Sequence, residues 1–478
     1  MKTRTLSRLI VAFALIASAL ACFVAPRVEA KKASSLVSHP SFPSAKRVIV
    51  ISLDGLDARY LSRADEFGLR IPTLRRLMAE GVTARGGVVS VYPSLTYPAH
   101  TTIVTGARPL RHGIFGNEVF DPADPQSRNG LWFARSIHAE TLWDAAARAR
   151  FTVGLVSWPV AGGAGDWNMP EFWRPGGTQA ESLADIRANA RPKGLAAEIE
   201  TRDRELYAHV NADEQDDMRT RFAEHIISEK RPRLMLVHLF DLDHFQHDYG
   251  PLTKEAFAML EKSDGYVGRI LDASARAGTL SETAVFIVSD HGFRPVRKLI
   301  HPGAILARAG LIKVREARDA KGNARAFVED WRAWPYVTNG SCLIMLRRGG
   351  RGPAKLREVR ATLNDFLRRE GPVFRLIERA EMRQLGASTE PSLMLEASEG
   401  YGFGGNLTGE AVTGNKQRGA HGYLPMTPDY RASLIASGAG VARRGDLGTV
   451  RMTDIGPTIA RVLSLSLRDA EGSPLRLR

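Results

Sequence analysis

Six residues of this 478-residue chain have types and positions that invite chemistry: Asp54, Asp243, His247, Asp290, His291 and His421. Asp54 ends the apolar run Arg47–Leu53. Asp243 and His247 follow the run ending at Phe240, and Asp290 and His291 follow the run ending at Ser289. His421 lies in Gly419-Ala420-His421-Gly422-Tyr423, ahead of the last run. An aspartate after a strand is often only a helix N-cap, and a lone histidine is more often a packing residue than a ligand. Three separate run ends that deliver carboxylate or imidazole to one edge make that reading a poor account of the whole set. Six such ligands suit two divalent ions. Mixed carboxylate and imidazole suits zinc best, ahead of iron or manganese.

A reacting hydroxyl belongs on another loop of the same edge. Tyr92-Pro93-Ser94-Leu95-Thr96-Tyr97-Pro98-Ala99-His100 follows the second apolar run and leads into Thr101–Gly106, read as a helix start. A helix N-terminus favours negative charge, and a metal ion can hold a side-chain oxygen as an alkoxide. Ser94 and Thr96 both qualify, and spacing does not choose between them. Three further histidines lie near these segments. His238, inside an apolar run, reads as a hydrogen-bonded core residue, and His244 and His301 as groups that could orient ligands.

The elements that must position these residues follow from periodicity. Apolar runs at Gly87–Tyr92, Thr152–Ser157, Leu234–Phe240, Ala284–Ser289 and Ser433–Ala436 resemble Arg47–Leu53 and predict strands buried on both faces. Helix-period stretches lie between them, at Thr73–Glu80, His138–Ala147, Lys254–Ala277 and Asp454–Leu463. The alternation predicts an α/β fold, a mainly parallel sheet sandwiched by helices, with chemistry at the carboxyl ends of its strands. Residues 160–232 and 300–415 interrupt the rhythm and are read as cap insertions on a catalytic domain spanning 46–478. Glycines 400, 402, 404 and 405 follow no convincing strand, so a dinucleotide loop is a weak reading of them.

Composition bounds the class. Apolar residues make up 44% and charged residues 25%, which excludes collagen, coiled coil and wholesale disorder. Residues 1–30 read as a secretory signal, with Lys2, Arg4 and Arg8 before the apolar Leu9–Ala21 and a small-residue site at Val28-Glu29-Ala30. The expected location is periplasmic or secreted, with no membrane span after its removal. Removal takes four basic residues and one acid from a net charge of +14 and leaves +11. Loss of Cys22 with that segment leaves Cys342 alone, so no intrachain disulfide is expected. The basic residues are scattered without a nucleic-acid-binding motif, so the charge points to a small anionic substrate.

Taken together, the chain resembles the alkaline phosphatase superfamily, in its type I nucleotide pyrophosphatase/phosphodiesterase branch. The segments that carry the likeness are Ser52-Leu53-Asp54-Gly55, Pro93 to His100 with Thr105-Gly106 and His112-Gly113-Ile114, Asp243 to Pro251, Ser289-Asp290-His291-Gly292 and His421-Gly422-Tyr423. They occur in the family's order, and Thr453 to Thr458 resembles its closing helix. The resemblance implies an alkaline-phosphatase-like fold and two metal ions, zinc before others. Asp54, Asp290 and His291 would hold one ion together with the Thr96 oxygen, and Asp243, His247 and His421 the other. Thr96, before an aromatic residue and proline, matches the nucleophile, and Ser94 does not. Asn117 matches the asparagine that binds a phosphoryl oxygen. Tyr97, and less directly Trp158, match positions that contact the substrate's organic group. Ala99 departs from the family, many of whose members have asparagine there.

The implied reaction is hydrolysis of a phosphodiester or pyrophosphate, on nucleotide-type substrates, through a phospho-threonine. The segment around Ser157-Trp158-Pro159 lacks the basic pair with which monoesterase relatives hold extra phosphate charge. The rival readings are a monoesterase or phosphonate hydrolase on the same site and, in a different class, a periplasmic metal-containing binding protein.

Overall fold

The computed structural model describes residues 45–478, apart from 174–176, 209, 211–213, 319–323, 350–351, 443 and 478. Residues 1–30, read as a secretory signal, and Cys22 within them therefore lie outside the described residues.

The site is carried by an eight-stranded sheet. Its order is Gly445–Asp446, Val82–Thr83, Leu434–Gly438, Thr283–Val288, Arg47–Leu53, Leu234–Leu239, Val153–Val156 and Trp167–Met169. The last five run parallel to one another, and Leu434–Gly438 runs antiparallel to Thr283–Val288. Strands Leu234–Leu239 and Thr283–Val288 are buried at every position, which is why they read as continuous apolar runs rather than as alternating ones.

Both faces are covered, and the period of two sorts the side chains. Ile49, Ile51, Leu53, Val237, Leu239 and Ile287 face one core with helix residues Leu74, Phe222, Leu260 and Val267. Val48, Val50, Leu236, Phe286 and Val288 face the other, with Ile103, Trp143, Ile455 and Ile459. The expected α/β sandwich is thus the one observed.

Two expectations shift. The run Gly87–Tyr92 shrinks to Val88–Val89, which pairs with Val450–Arg451 instead of joining the main sheet. Val82–Thr83 already occupies the free edge of Leu434–Gly438, so no ladder is left for it. The helix expected from Thr101 begins at Thr96 and runs to Thr105. Pro98 does not stop it, because the first-turn amides have no intrahelical acceptor to lose.

Residues 300–415 build a second core. Four antiparallel strands (Ala333–Thr338, Ser341–Leu346, Leu393–Ala397 and Phe374–Ile377) carry the helix Gly352–Glu370, and Cys342, Leu343, Leu363 and Leu395 are buried between them. Gly400–Phe403 is itself a strand, parallel to Arg294–Ile300, so these glycines form no phosphate loop. Within residues 160–232, Trp167–Met169 supplies the edge strand of the main sheet, and the helix Asp216–His225 packs into the first core. Among the described residues no helix is long and apolar enough to cross a membrane.

Candidate metal centre

Asp54, Asp290 and His291 follow strands of the main sheet, Asp243 and His247 lie on the helix after Leu234–Leu239, and His421 follows a short strand paired with Arg294–Ile300. Asp54 follows the strand Arg47–Leu53, and its amide donates to Leu239 O at 2.9 Å. Gly55 then turns the chain with φ +68°, where a Cβ would lie 2.7 Å from the Phe293 ring. The Gly55 amide donates to Asp290 Oδ1 at 3.1 Å, which fixes the carboxylate of the neighbouring strand end. Asp243 and His247 stand one turn apart on the helix Asp241–Tyr249. Between them Gln246 is fully buried, accepting from Tyr60 Oη at 2.9 Å and donating to Gly55 O at 2.9 Å.

That helix is anchored by reciprocal caps. The Asp241 carboxylate accepts from the amides of Gln215 and Asp216, while Asp216 accepts from those of Phe240 and Asp241. Arg219 stands 3.3 Å from Asp216 and supplies the countercharge. His421 lies just past the short strand Gly419–Ala420, its Nδ1 3.2 Å from Ser94 O.

The six side chains converge. Asp54, Asp290 and His291 offer ligand atoms within 4.8 Å of one another, and so do Asp243, His291 and His421. His291 Nε2 is 3.0 Å from Asp290 Oδ2, 3.4 Å from Asp54 Oδ1 and 3.9 Å from Asp243 Oδ1. The His291 and His421 rings stack at 3.7 Å. His247 falls outside both tight triads and joins through Asp243, its Nε2 3.4 Å from Oδ2.

Five buried atoms of this group have no hydrogen-bond partner: Asp54 Oδ1, Asp243 Oδ1, Asp290 Oδ2 and both nitrogens of His291. An unpartnered buried polar atom costs roughly 1–3 kcal/mol, more when charged. The three carboxylate oxygens and His291 Nε2, which faces them, are what divalent cations satisfy, so the residues fit the group that their types imply.

The electrostatics agree. Burial lifts Asp54 well above the ordinary carboxylate range, and the charges of Asp290 and Asp243 lift it further. At Asp290 burial also acts upward, but His291 beside it prevails and holds it well below. Burial pushes His421 down, and the neighbouring His291 and His247 add to that. Crowded carboxylates and imidazoles of this kind share protons unless a cation replaces them.

The nucleophile loop separates its two hydroxyls. Ser94 is fully buried, its Oγ donating to Tyr423 O at 2.6 Å and paired with Tyr430 Oη at 2.7 Å. Thr96 is partly exposed at the first position of its helix, behind an N-cap, Leu95, that supplies no side-chain bond. Asn117 Oδ1 accepts from the Tyr97 amide at 3.0 Å, which leaves the donor end of its side chain for an oxygen beside Thr96.

The two aromatic positions are less open than expected. Tyr97 is 2% exposed, edge-on to Trp132, and its hydroxyl accepts from Trp173 Nε1 at 3.1 Å. Trp158 has no exposed surface and lies edge-on to His100 at 5.1 Å. Trp158, read as a substrate contact, is packed in the core that holds Ile103 and Trp143, beyond the end of the strand Val153–Val156.

Other residues carry the site without having stood out as ligands. His100 Nδ1 is 2.8 Å from Thr96 O and its Nε2 is 2.8 Å from Ser52 Oγ. His238 Nε2 is 2.9 Å from Asp54 Oδ2. The available signal was polarity out of place, a serine and a histidine in register on two otherwise apolar strands. His301 pairs with Thr413 and Asn406 instead.

Comparison with known proteins narrows the class. A family model described as type I phosphodiesterase/nucleotide pyrophosphatase matches residues 48–424. Ectonucleotide pyrophosphatase/phosphodiesterase family member 1 of Rattus norvegicus is 23% identical over 297 residues, 59% of this chain and 28% of that protein. An uncharacterized pyrophosphatase/phosphodiesterase of Schizosaccharomyces pombe is 26% identical over 257 residues, 52% of this chain and 45% of that protein. The chain spans only 26–28% of the length of the mammalian relatives it matches. Among solved structures, murine ectonucleotide pyrophosphatase/phosphodiesterase 5, an inactive form in complex with AMP, superposes with a TM-score of 0.62 at 18% identity. The superposition covers 90% of this chain and 97% of that one, a likeness of fold.

Proposed function

The chain belongs to the type I phosphodiesterase/nucleotide pyrophosphatase family, and on that premise we propose that it hydrolyses phosphodiester or pyrophosphate bonds of nucleotide-type substrates, with Thr96 as nucleophile. Asp54, Asp290 and His291 would hold one divalent ion and Asp243, His247 and His421 a second, zinc by ligand type. When bound, the ions lower the pKa of the attacking hydroxyl and offset charge on the attacking and leaving oxygens.

The chain's own residues do the rest. Thr96 Oγ loses its proton to solvent and bonds to phosphorus as the leaving oxygen departs with the bonding pair and takes up a proton from solvent. Water then attacks the phosphorus of the phospho-threonine, one of its protons passes to Thr96 Oγ as the P–Oγ bond breaks, and the product leaves as a phosphomonoester. The N-terminal amides of the helix Thr96–Thr105 favour the negative charge that builds there. Asn117 donates to a non-bridging oxygen, an interaction worth roughly 3 kcal/mol in comparable sites. Tyr97, with Trp132 and Trp173 against it, forms an aromatic wall for the organic group. The net charge of +11 that remains without residues 1–30 attracts anionic substrate. The basic start and apolar run of residues 1–30 support export.

The observation that carries this reading is the convergence of five unpartnered ligand atoms, together with the engagement of Ser94 elsewhere and a partly exposed Thr96 at a helix start. The test compares bis-p-nitrophenyl phosphate, a p-nitrophenyl nucleotide ester and p-nitrophenyl phosphate on zinc-loaded wild type and Thr96→Ala. We expect diester turnover, greatest on the nucleotide ester, and its loss by at least a thousandfold in the variant. A preference for the monoester overturns the diesterase assignment, and unchanged turnover in Thr96→Ala overturns the nucleophile.

A further inference from the structure

His238 is the single polar side chain of a fully buried six-residue strand. A buried imidazole requires partners at both nitrogens. Its Nε2 lies 2.9 Å from Asp54 Oδ2 and its Nδ1 lies 3.0 Å from Ser157 O. Both ring nitrogens are thus engaged, Nε2 by the Asp54 carboxyl and Nδ1 by the Ser157 carbonyl. Ser157 aims its carbonyl from a left-handed backbone, φ +49°, a strained conformation for a non-glycine residue. Glu171 Oε2, buried without a hydrogen-bond partner, lies 3.8 Å from Nδ1.

The consequence falls on Asp54. Its Oδ2 is taken by His238, while its Oδ1 is buried, unpartnered and 3.4 Å from His291 Nε2. We infer that His238 is a positioning residue: by holding Oδ2 it fixes the Asp54 carboxylate so that Oδ1 alone is presented to a divalent cation shared with Asp290 and His291. The inference rests on the metal reading of that cluster. His238 is not itself a ligand, because both of its nitrogens are spent. The close triad of Asp54, His100 and His238 is accordingly a support and not a third ion site, since His100 is spent on Thr96 O and Ser52 Oγ.

Two polar variants separate the two ends of the ring. In His238→Gln the amide nitrogen reaches the place of Nε2 and keeps a donor for Asp54. In His238→Asn it reaches only the place of Nδ1 and keeps the Ser157 contact. Full-length wild type and both variants are titrated with Co²⁺ against a competing chelator, following stoichiometry, affinity and the visible absorption of the bound ion. Two ions are expected in the wild type. His238→Asn should lose about 10- to 100-fold in affinity at one ion, with a changed spectrum for that ion and the other unaltered. His238→Gln should stay within a few-fold of wild type. Fewer than two ions in the wild type overturns the metal reading and this inference with it. Two ions in the wild type with unchanged affinities in His238→Asn overturns the role of His238 alone, as does a His238→Gln variant as weak as His238→Asn.

Discussion

Ser94 and Thr96 stand two residues apart on one loop, with the same functional group and opposite surroundings. Ser94 is tied to Tyr423 O and Tyr430 Oη in the core, so its hydroxyl serves to join the loop to the segment that follows His421. Its removal leaves Tyr430 and a carbonyl short of a partner, a loss of roughly 1–3 kcal/mol. Ser94→Ala should therefore lower stability in chemical denaturation by that amount while keeping diester turnover within about tenfold. Loss of turnover on the scale of Thr96→Ala in a folded Ser94→Ala protein would reassign the chemistry.

At the scale of elements, the site depends on how helices are started. The helix that carries Asp243 and His247 begins where Asp216 and Asp241 cap each other's helices. Asp216 is raised from 3.8 to about 7, by burial first and then by the charge of Asp241, with Arg219 acting against both. Asp216→Ala removes two acceptors from buried amides and leaves Arg219 beside Asp241 alone. We expect a loss of about 2 kcal/mol or more, and Asp216→Asn, which retains an acceptor, should recover part of it. Equal melting temperatures for wild type and Asp216→Ala would show that the paired caps do not hold the helix. Apolar periodicity could not register these caps, because each aspartate serves the other's helix across 25 residues of chain.

At the scale of the whole molecule, the second core is joined to the nucleophile loop through Glu396. The Tyr92 hydroxyl donates to its Oε2 at 3.0 Å and the Leu424 amide to its Oε1 at 2.8 Å. Burial nonetheless raises Glu396 from 4.5 to about 7. A carboxyl raised on folding binds its proton more tightly in the native state, so its contribution is fully present below pH 4.5 and is lost as pH rises through about 7. The term is on the order of 3 kcal/mol. Glu396→Gln should flatten this part of the profile, so that wild type loses more stability than the variant between pH 5 and pH 8, read by denaturant midpoints at each pH. Parallel profiles would show that Glu396 is ionised in the fold at pH 5.

The sequence alone determined which residue types stand at the strand ends, because metal ligation and phosphoryl chemistry admit few side chains and a buried parallel sheet leaves an unmistakable run of apolar residues. It also offered Tyr92–His100 as the loop for a reacting hydroxyl, although chemistry by itself did not choose between Ser94 and Thr96. Only the tertiary structure decided how each group is spent. It tied Oδ2 of Asp54 to His238 and left Oδ1 open, engaged Ser94 in the core, and buried Trp158 completely. The reason is physical: a side chain's type fixes what it can do, but its hydrogen-bond partners come from strands and loops remote in sequence. The Ser94 partners lie more than 300 residues away, and the closest partners of Asp54 nearly 200.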